Sequence, residues 1–482
     1  MSLDVPVATS AAVSVQRRWA WIAQAYGLVV SAVLSFFLLG LVIQVSDSFG
    51  NLLAVQRPTL AELVREQLSQ HAYLRPLLWA QIKIIYEWSG GDYYAWFRGL
   101  HVAQVCVLIA LCVRLMRPTT ALDLALVPLS LAVLVGAHTF GPLLREAHPI
   151  NSYLTIVIAC VAAANLAFQA RSRWYTDTLA IVLFVGATLT VESGILVWVV
   201  CAAAYVLGAR GLSRPAVAVM TMCLVAYVAI RMFVLDVGTP ALAERASGFG
   251  FRALEPAELI ARFEGRAWTF YLYNVFSSLA TVLFSEPKGG VWRFVFEVSA
   301  HNVHPWTMVS VLSSTAATGL VAWFVWTRRA RVRVWTFEGN DRIVGVFVAV
   351  LAANALVSFP YTKNVIMSPA GVFFSLAVFA AARQWFERAA ASRLVATVVI
   401  FAVLTCSWAY RVAGNHYNLR RTAAEQRAVW VTVDTWLDRQ RIALVSPEAQ
   451  TLRDALRADA LRNHPTPYQP ASAWMRWFDI DW

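Results

Sequence analysis

The sequence predicts an all-α integral membrane protein with about eleven transmembrane helices. Of its 482 residues, 59% are hydrophobic and only 14% charged, and the mean hydropathy is +0.58. Soluble domains carry roughly 25% charged residues. Apolar stretches close to the roughly 20 residues needed to cross a bilayer core recur along the chain. Twenty Trp and 26 Phe suit a chain with two membrane interfaces to anchor. The net charge is +12, and lysine occurs only at Lys83, Lys288 and Lys363, so the basic residues are almost all arginine. They form no dense run, so no nucleic-acid partner is expected. The six cysteines all fall inside apolar stretches and imply no disulfide framework.

Spans are expected near 22–45, 99–116, 121–139, 151–170, 177–191, 194–209, 215–235, 305–327, 342–359, 369–384 and 393–410. The 177–209 pair also fits a re-entrant hairpin. Arginine sets the orientation, because short cytoplasmic loops hold an excess of it. With the N-terminus inside, those loops carry Arg17 and Arg18, Arg114 and Arg117, Arg171 and Arg173, Arg210 and Arg214, the run Arg328 to Arg333, and Arg383, Arg388 and Arg393. The N-terminus is then cytoplasmic and the C-terminus extracytoplasmic, in a bacterial-type plasma or inner membrane. Residues 1–411 form the transmembrane domain, with extracytoplasmic loops at 46–98 and 236–304. Residues 412–482 form a small helical tail on the same side.

The first large loop carries the strongest pattern. Leu60, Leu63, Val64 and Leu68 recur at helical spacing, and Leu74, Leu77, Leu78, Ile85 and Tyr86 form a second stripe, so two amphipathic surface helices are expected. Ser46-Asp47-Ser48 precedes them at the mouth of the first span, and Tyr73-Leu74-Arg75-Pro76 lies between them. A proline at a helix start leaves that N-terminus open to anions, which makes Arg75 and Tyr73 candidate phosphate contacts.

An acidic residue ending the first span, two surface helices and an Arg-Pro-Leu element together resemble the GT-C superfamily of polytopic glycosyltransferases. The resemblance covers roughly residues 15–410. It implies an enzyme of the cell envelope that moves a hexosyl or pentosyl group from a polyprenyl-phosphate or pyrophosphate carrier to a glycan, lipid or protein acceptor, with its active site on the outer side of the membrane. It also implies that Asp47 is the catalytic base or an acceptor-binding group. Many members have a paired Asp-Asp or Asp-Glu here, whereas Asp47 stands alone between serines, which leaves a divalent metal open. A carboxylate partly buried at the membrane surface can take the acceptor's proton as the anomeric bond breaks. The phosphate leaving group needs cations rather than an acid.

Four further candidates for substrate or phosphate binding lie at the expected outer ends. His148, with Glu146, falls between the third and fourth spans. Glu192 interrupts an apolar run, where an ionisable group marks a functional position by default. Lys363 is an unusual lysine in an arginine-rich chain, and Arg411 ends the last span. The semi-apolar segment from Trp268 to Phe284 reads as an interfacial or re-entrant helix at a portal for the lipid chain. His301 and His304 read as structural, since no third ligand is near. The tail, ending in Trp474, Trp477 and Trp482, suggests contact with membrane lipids or with the enzyme body. Two other activities compete: an O-antigen ligase or polysaccharide polymerase, and a lipid or polysaccharide transporter, which would place charge at mid-membrane.

Overall fold

The structure, a computed structural model, describes residues 10–45, 47–69, 74–145, 152–235, 246–248, 254–286, 289–444 and 446–462. Among these the regular structure is helical, apart from two isolated bridges, Ala246 with Leu254 and Ser247 with Tyr361. Seven helices are long and apolar enough to cross a membrane: Arg18–Leu38, Tyr93–Met116, Arg214–Val234, Ala267–Phe284, Pro305–Thr327, Asn340–Val357 and Ala391–Val431. Four shorter apolar helices accompany them: Ala121–Gly136, Ser152–Ala167, Trp174–Thr190 and Glu192–Val206. The chain is a helical membrane protein.

In order, the first eleven helices are α1 (Ser10–Leu38), α2 (Asp47–Ala54), α3 (Leu60–Ser69), α4 (Pro76–Ser89), α5 (Tyr93–Met116), α6 (Ala121–Gly136), α7 (Gly141–Arg145), α8 (Ser152–Ala167), α9 (Trp174–Thr190), α10 (Ile195–Val206) and α11 (Arg214–Ala229). A π turn, Ile230–Val234, extends α11. The remainder are α12 (Pro256–Arg262), α13 (Ala267–Phe284), α14 (Val291–Ser299), α15 (Pro305–Thr327), α16 (Arg329–Arg333), α17 (Asn340–Val357), α18 (Ser368–Arg388), α19 (Leu394–Val431), α20 (Val433–Gln440) and α21 (Pro447–Arg462).

The main core is built around α18. Every residue from Ser368 to Ala382 is buried, and many are small: Ala370, Gly371, Ser375, Ala377, Ala380, Ala381 and Ala382. Small side chains let neighbouring backbones approach closely, which is how helices associate where lipid removes the hydrophobic drive between them. Polar groups fix the helix ends. Thr120 and Asp123 form a reciprocal cap on α6, and Asp123 also takes Arg383 of α18 at 2.9 Å.

Three expected boundaries move. The first span stops at Leu38, and residues 41–44 run on outside regular structure, so the expected 22–45 helix is shorter. The helix expected to end near residue 410 continues unbroken to Val431. At 1.5 Å per residue it is about 57 Å long, well beyond a hydrocarbon core of about 30 Å. The boundary expected after 411 therefore falls inside a helix. The segment Trp268 to Phe284, expected within a loop, lies in α13, one of the seven helices of spanning length.

The extension of α19 has a structural purpose. A second core joins the segment after α1, helices α2 to α4 and the start of α5 to the far end of the chain: Val42, Phe49, Leu63, Ile82 and Phe97 pack with Trp430, Leu437, Leu452 and Leu456. The apolar stripes read from residues 60–86 thus turn onto the tail, and the two regions form one cap. Trp430 is fully buried, lies edge-on to Phe49 at 5.4 Å, and donates from Nε1 to the Ile43 carbonyl at 2.7 Å. Lys83 is buried and donates to the carbonyls of Val55 and Gln56, which closes the C-terminal end of α2. Thr59 and Glu62 cap α3 reciprocally; the Thr59 backbone N–H, at 2.7 Å, is the main reason the Glu62 carboxyl is held below the usual range. Trp430→Ala should cost about 3–5 kcal/mol in the cap, read as earlier thermal unfolding. It should also speed proteolysis after residue 431 while leaving the helices around α18 protected; uniform loss of protection would show that the cap has no core of its own.

Candidate functional site

The cap sits on one end of the helix bundle, and at that end three polar connections converge. The central one is Arg98, on the first turns of α5. Its guanidinium is fully buried. Nε donates to the Leu41 carbonyl at 3.0 Å, and Nη2 donates to the carbonyls of Val42 at 2.6 Å and Arg145 at 2.9 Å. His101, one turn along, lies 3.2 Å from Nη1 and 3.0 Å from the Leu143 carbonyl. One side chain therefore ties the segment leading to Asp47 to the end of α7, from which the chain enters the connection carrying Glu146 and His148. A cation is favoured where helix-terminal carbonyls converge.

The second connection is an ion-pair cluster. Arg75 grips Glu192 with both Nε (3.0 and 3.1 Å) and Nη2 (2.7 Å). Arg231 Nη1 lies 3.8 Å from the same carboxylate. Each of the three side chains is less than a third exposed. Among the described residues, two guanidinium groups thus face one carboxylate. Tyr153, on the first turn of α8, lies beside Ser193 and in the field of Arg75, Glu192 and Tyr361. Tyr227 lies one turn from Arg231 and in the field of Glu192.

Local backbone sets this cluster. Pro76 begins α4 and leaves Arg75 at its N-cap, outside the helical register and free to reach α9. Glu192 opens a single 3₁₀ turn, Glu192–Gly194, between α9 and α10. That turn folds directly onto the end of α9, and a β-carbon at Gly194 would collide with the backbone of Ala187 and Thr188, so glycine is required there. Arg231 was not expected. Its signals are a lone arginine in the apolar stretch 215–234 and its position in a π turn, an irregularity that occurs often at functional sites.

The third connection is 359–363. Ser247 bridges this segment in parallel, its N–H donating to Pro360 O at 3.1 Å and its carbonyl accepting from Thr362 N at 3.0 Å. Asn274 of α13 donates to the carbonyls of Ser247 and Phe359, and the Ser278 and Thr362 hydroxyls lie 2.6 Å apart. The polar residues read as a portal in 268–284 therefore brace this segment. Lys363 is exposed, with its Nζ 4.7 Å from the Tyr361 ring centre.

The expected residues divide as follows. Arg75 and Glu192 form one cluster, and Lys363 stands beside it through Tyr361. Asp47 is the first residue of α2; it is exposed and not in the partly buried setting expected of it. Arg411 is not at a helix end. It lies within α19, is fully buried, stacks on Trp408 at 3.8 Å, and donates to the hydroxyls of Ser313 (3.2 Å), Ser314 (2.7 Å) and Ser285 (2.7 Å). Tyr73, His148 and Glu146 lie outside the described residues. His304 caps α15, accepting from the Trp306 N–H. Comparison with protein families, with characterised proteins and with solved structures finds no match to this chain.

Removing Glu192 leaves two cations facing each other, whereas removing Arg75 leaves an Arg231–Glu192 pair. Glu192→Gln should therefore destabilise more than Arg75→Gln. The double-mutant cycle between them should give a coupling above about 1 kcal/mol in thermal unfolding, within the range for contacting charged groups. Additive effects would show that the pair is not formed in the membrane-embedded protein.

Proposed function

We propose that this protein is a membrane glycosyltransferase that moves a sugar from a polyprenyl-phosphate or pyrophosphate carrier to an extracytoplasmic acceptor. The observation that carries the reading is the Arg75–Glu192–Arg231 cluster, two guanidinium groups on one carboxylate among the described residues, set at the same end of the bundle as Asp47. Leaving-group phosphate needs cations, and two arginines held by a single carboxylate offer them with their geometry already fixed. Lys363 adds an exposed cation over Tyr361. Asp47 is the acceptor's base in this reading, and its exposure suits a group that meets an acceptor arriving from solvent. With the N-terminus cytoplasmic, as this reading takes it, α1 delivers this end of the bundle to the outer side.

A second reading has one observation in its favour: a fully buried arginine, Arg411, inside a helix of spanning length, as a lipid or polysaccharide transporter would require.

The test is transfer by the purified full chain from polyprenyl-phosphate sugars to candidate acceptors, with and without a chelator. Asp47→Asn should lower turnover by at least about 10²-fold, the usual share of a general base. Arg231→Gln should raise KM for the donor more than it lowers turnover. Full transfer by Asp47→Asn with none by Glu192→Gln would move the base to Glu192. Absence of any lipid-linked sugar binding, with movement of lipid across vesicles instead, would favour the transporter.

A further inference from the structure

A cavity of about 300 Å³ runs between α1, α6 and α19. Its walls are almost wholly apolar: Val33 and Phe37 from α1, Leu131 and Val135 from α6, and Val412 from α19. One end is different. His416 stacks on Phe37 with ring centres 3.5 Å apart, and its Nδ1 is buried with no hydrogen-bond partner. Arg420, one turn further along α19, is exposed and acts electrostatically on His416.

The groove has the length of one leaflet. Along α1 it extends from Tyr26 to Leu38, about 18 Å at the rise of an α-helix and close to half of a hydrocarbon core of about 30 Å. An empty apolar slot of this size on a membrane-facing surface would forfeit packing contacts on every wall. Arg420, one turn beyond the groove residue His416, is an exposed cation, and a surface arginine adds attraction for an anionic lipid. The Arg75–Glu192–Arg231 cluster, by contrast, is built from α4, the 192–194 turn and the end of α11, none of which lines this groove.

We infer that this groove is a binding site for an anionic phospholipid, with one acyl chain lying between α1, α6 and α19 and the phosphate against Arg420. The length matches an ordinary acyl chain. A polyprenyl chain of carrier length would overrun it. The inference rests on the membrane character of the chain and stands whether or not the transferase reading does.

The experiment is native mass spectrometry of the full chain released from nanodiscs of phosphatidylglycerol or phosphatidylcholine. Wild-type protein should retain one phosphatidylglycerol in preference to phosphatidylcholine. Arg420→Gln should reduce that preference about fivefold, the worth of one surface cation near headgroups. Val33→Trp, at a half-exposed position on the groove wall, should abolish retention of either lipid. Val225→Trp, on the exposed face of α11, should leave it unchanged and so reports any general effect of an added tryptophan. Equal retention by wild type and Val33→Trp would overturn the proposal. So would retention that polyprenyl phosphate displaces and excess phosphatidylglycerol does not, or an Arg420→Gln variant with undiminished preference.

Discussion

The buried guanidinium of Arg98 is the contact on which this end of the molecule depends. Leu41 and Val42 follow a helix that has already ended, and Arg145 ends α7, so each leaves a backbone carbonyl in need of a donor. Water cannot supply it, since Arg98 and His101 are fully buried. A single planar cation answers all three carbonyls at 2.6–3.0 Å, which lysine, with a point charge and no fork, could not do in the same geometry. The chain leaving α1 is thereby aimed at α2, Asp47 is placed, and the loop after α7 starts from a fixed point. The cap core formed by Phe49 and Trp430 then closes over this arrangement from the other end of the chain.

The other buried charges obey the same rule with different partners. Arg75 and Glu192 neutralise one another bidentately, and Arg231 shares the carboxylate. Arg411 has neither a carboxylate within ion-pair distance among the described residues nor a carbonyl cluster. It is solvated by three serine hydroxyls and the face of Trp408. Two of those serines sit on adjacent positions of α15, and the third follows the end of α13, so this arginine pins three helices at once. Burying a charge costs several kcal/mol even when it is well solvated, and such an arrangement persists where relative helix position matters.

Much of this was legible in the sequence because apolar length and arginine spacing report directly on lipid contact. The helical stripes through Leu63 and through Leu78 and Ile85 were visible from the spacing of their apolar residues. Their partner was not, because a period of 3.6 residues says that a face is buried without saying against what, and here the cover arrives from residues 430–460. The unbroken course of α19 past residue 410 was hidden by its change of composition: its second half turns polar on the way to the cap, which it joins at Val429 and Trp430, so hydropathy falls where the helix does not. Glu192 announced itself as a carboxylate in an apolar run. Arg231 gave the same signal more faintly, near the end of a span where a snorkelling arginine is ordinary. Arg98 gave none, since a single arginine just before an expected span reads as an interface anchor, and its role appears only when Leu41 and Arg145, far apart in sequence, are brought to it.

The most direct test of this account is hydrogen exchange in the Arg98→Met variant, which keeps the volume of the stem and removes the three donors. Losing even one buried hydrogen bond, worth about 1–3 kcal/mol when a carbonyl is left unsatisfied, should speed amide exchange at least about fivefold in residues 39–45, 47–55 and 141–145. The helices around α18 should keep wild-type protection. Unchanged exchange in 39–45, 47–55 and 141–145 would contradict the claim that Arg98 holds this end of the protein together.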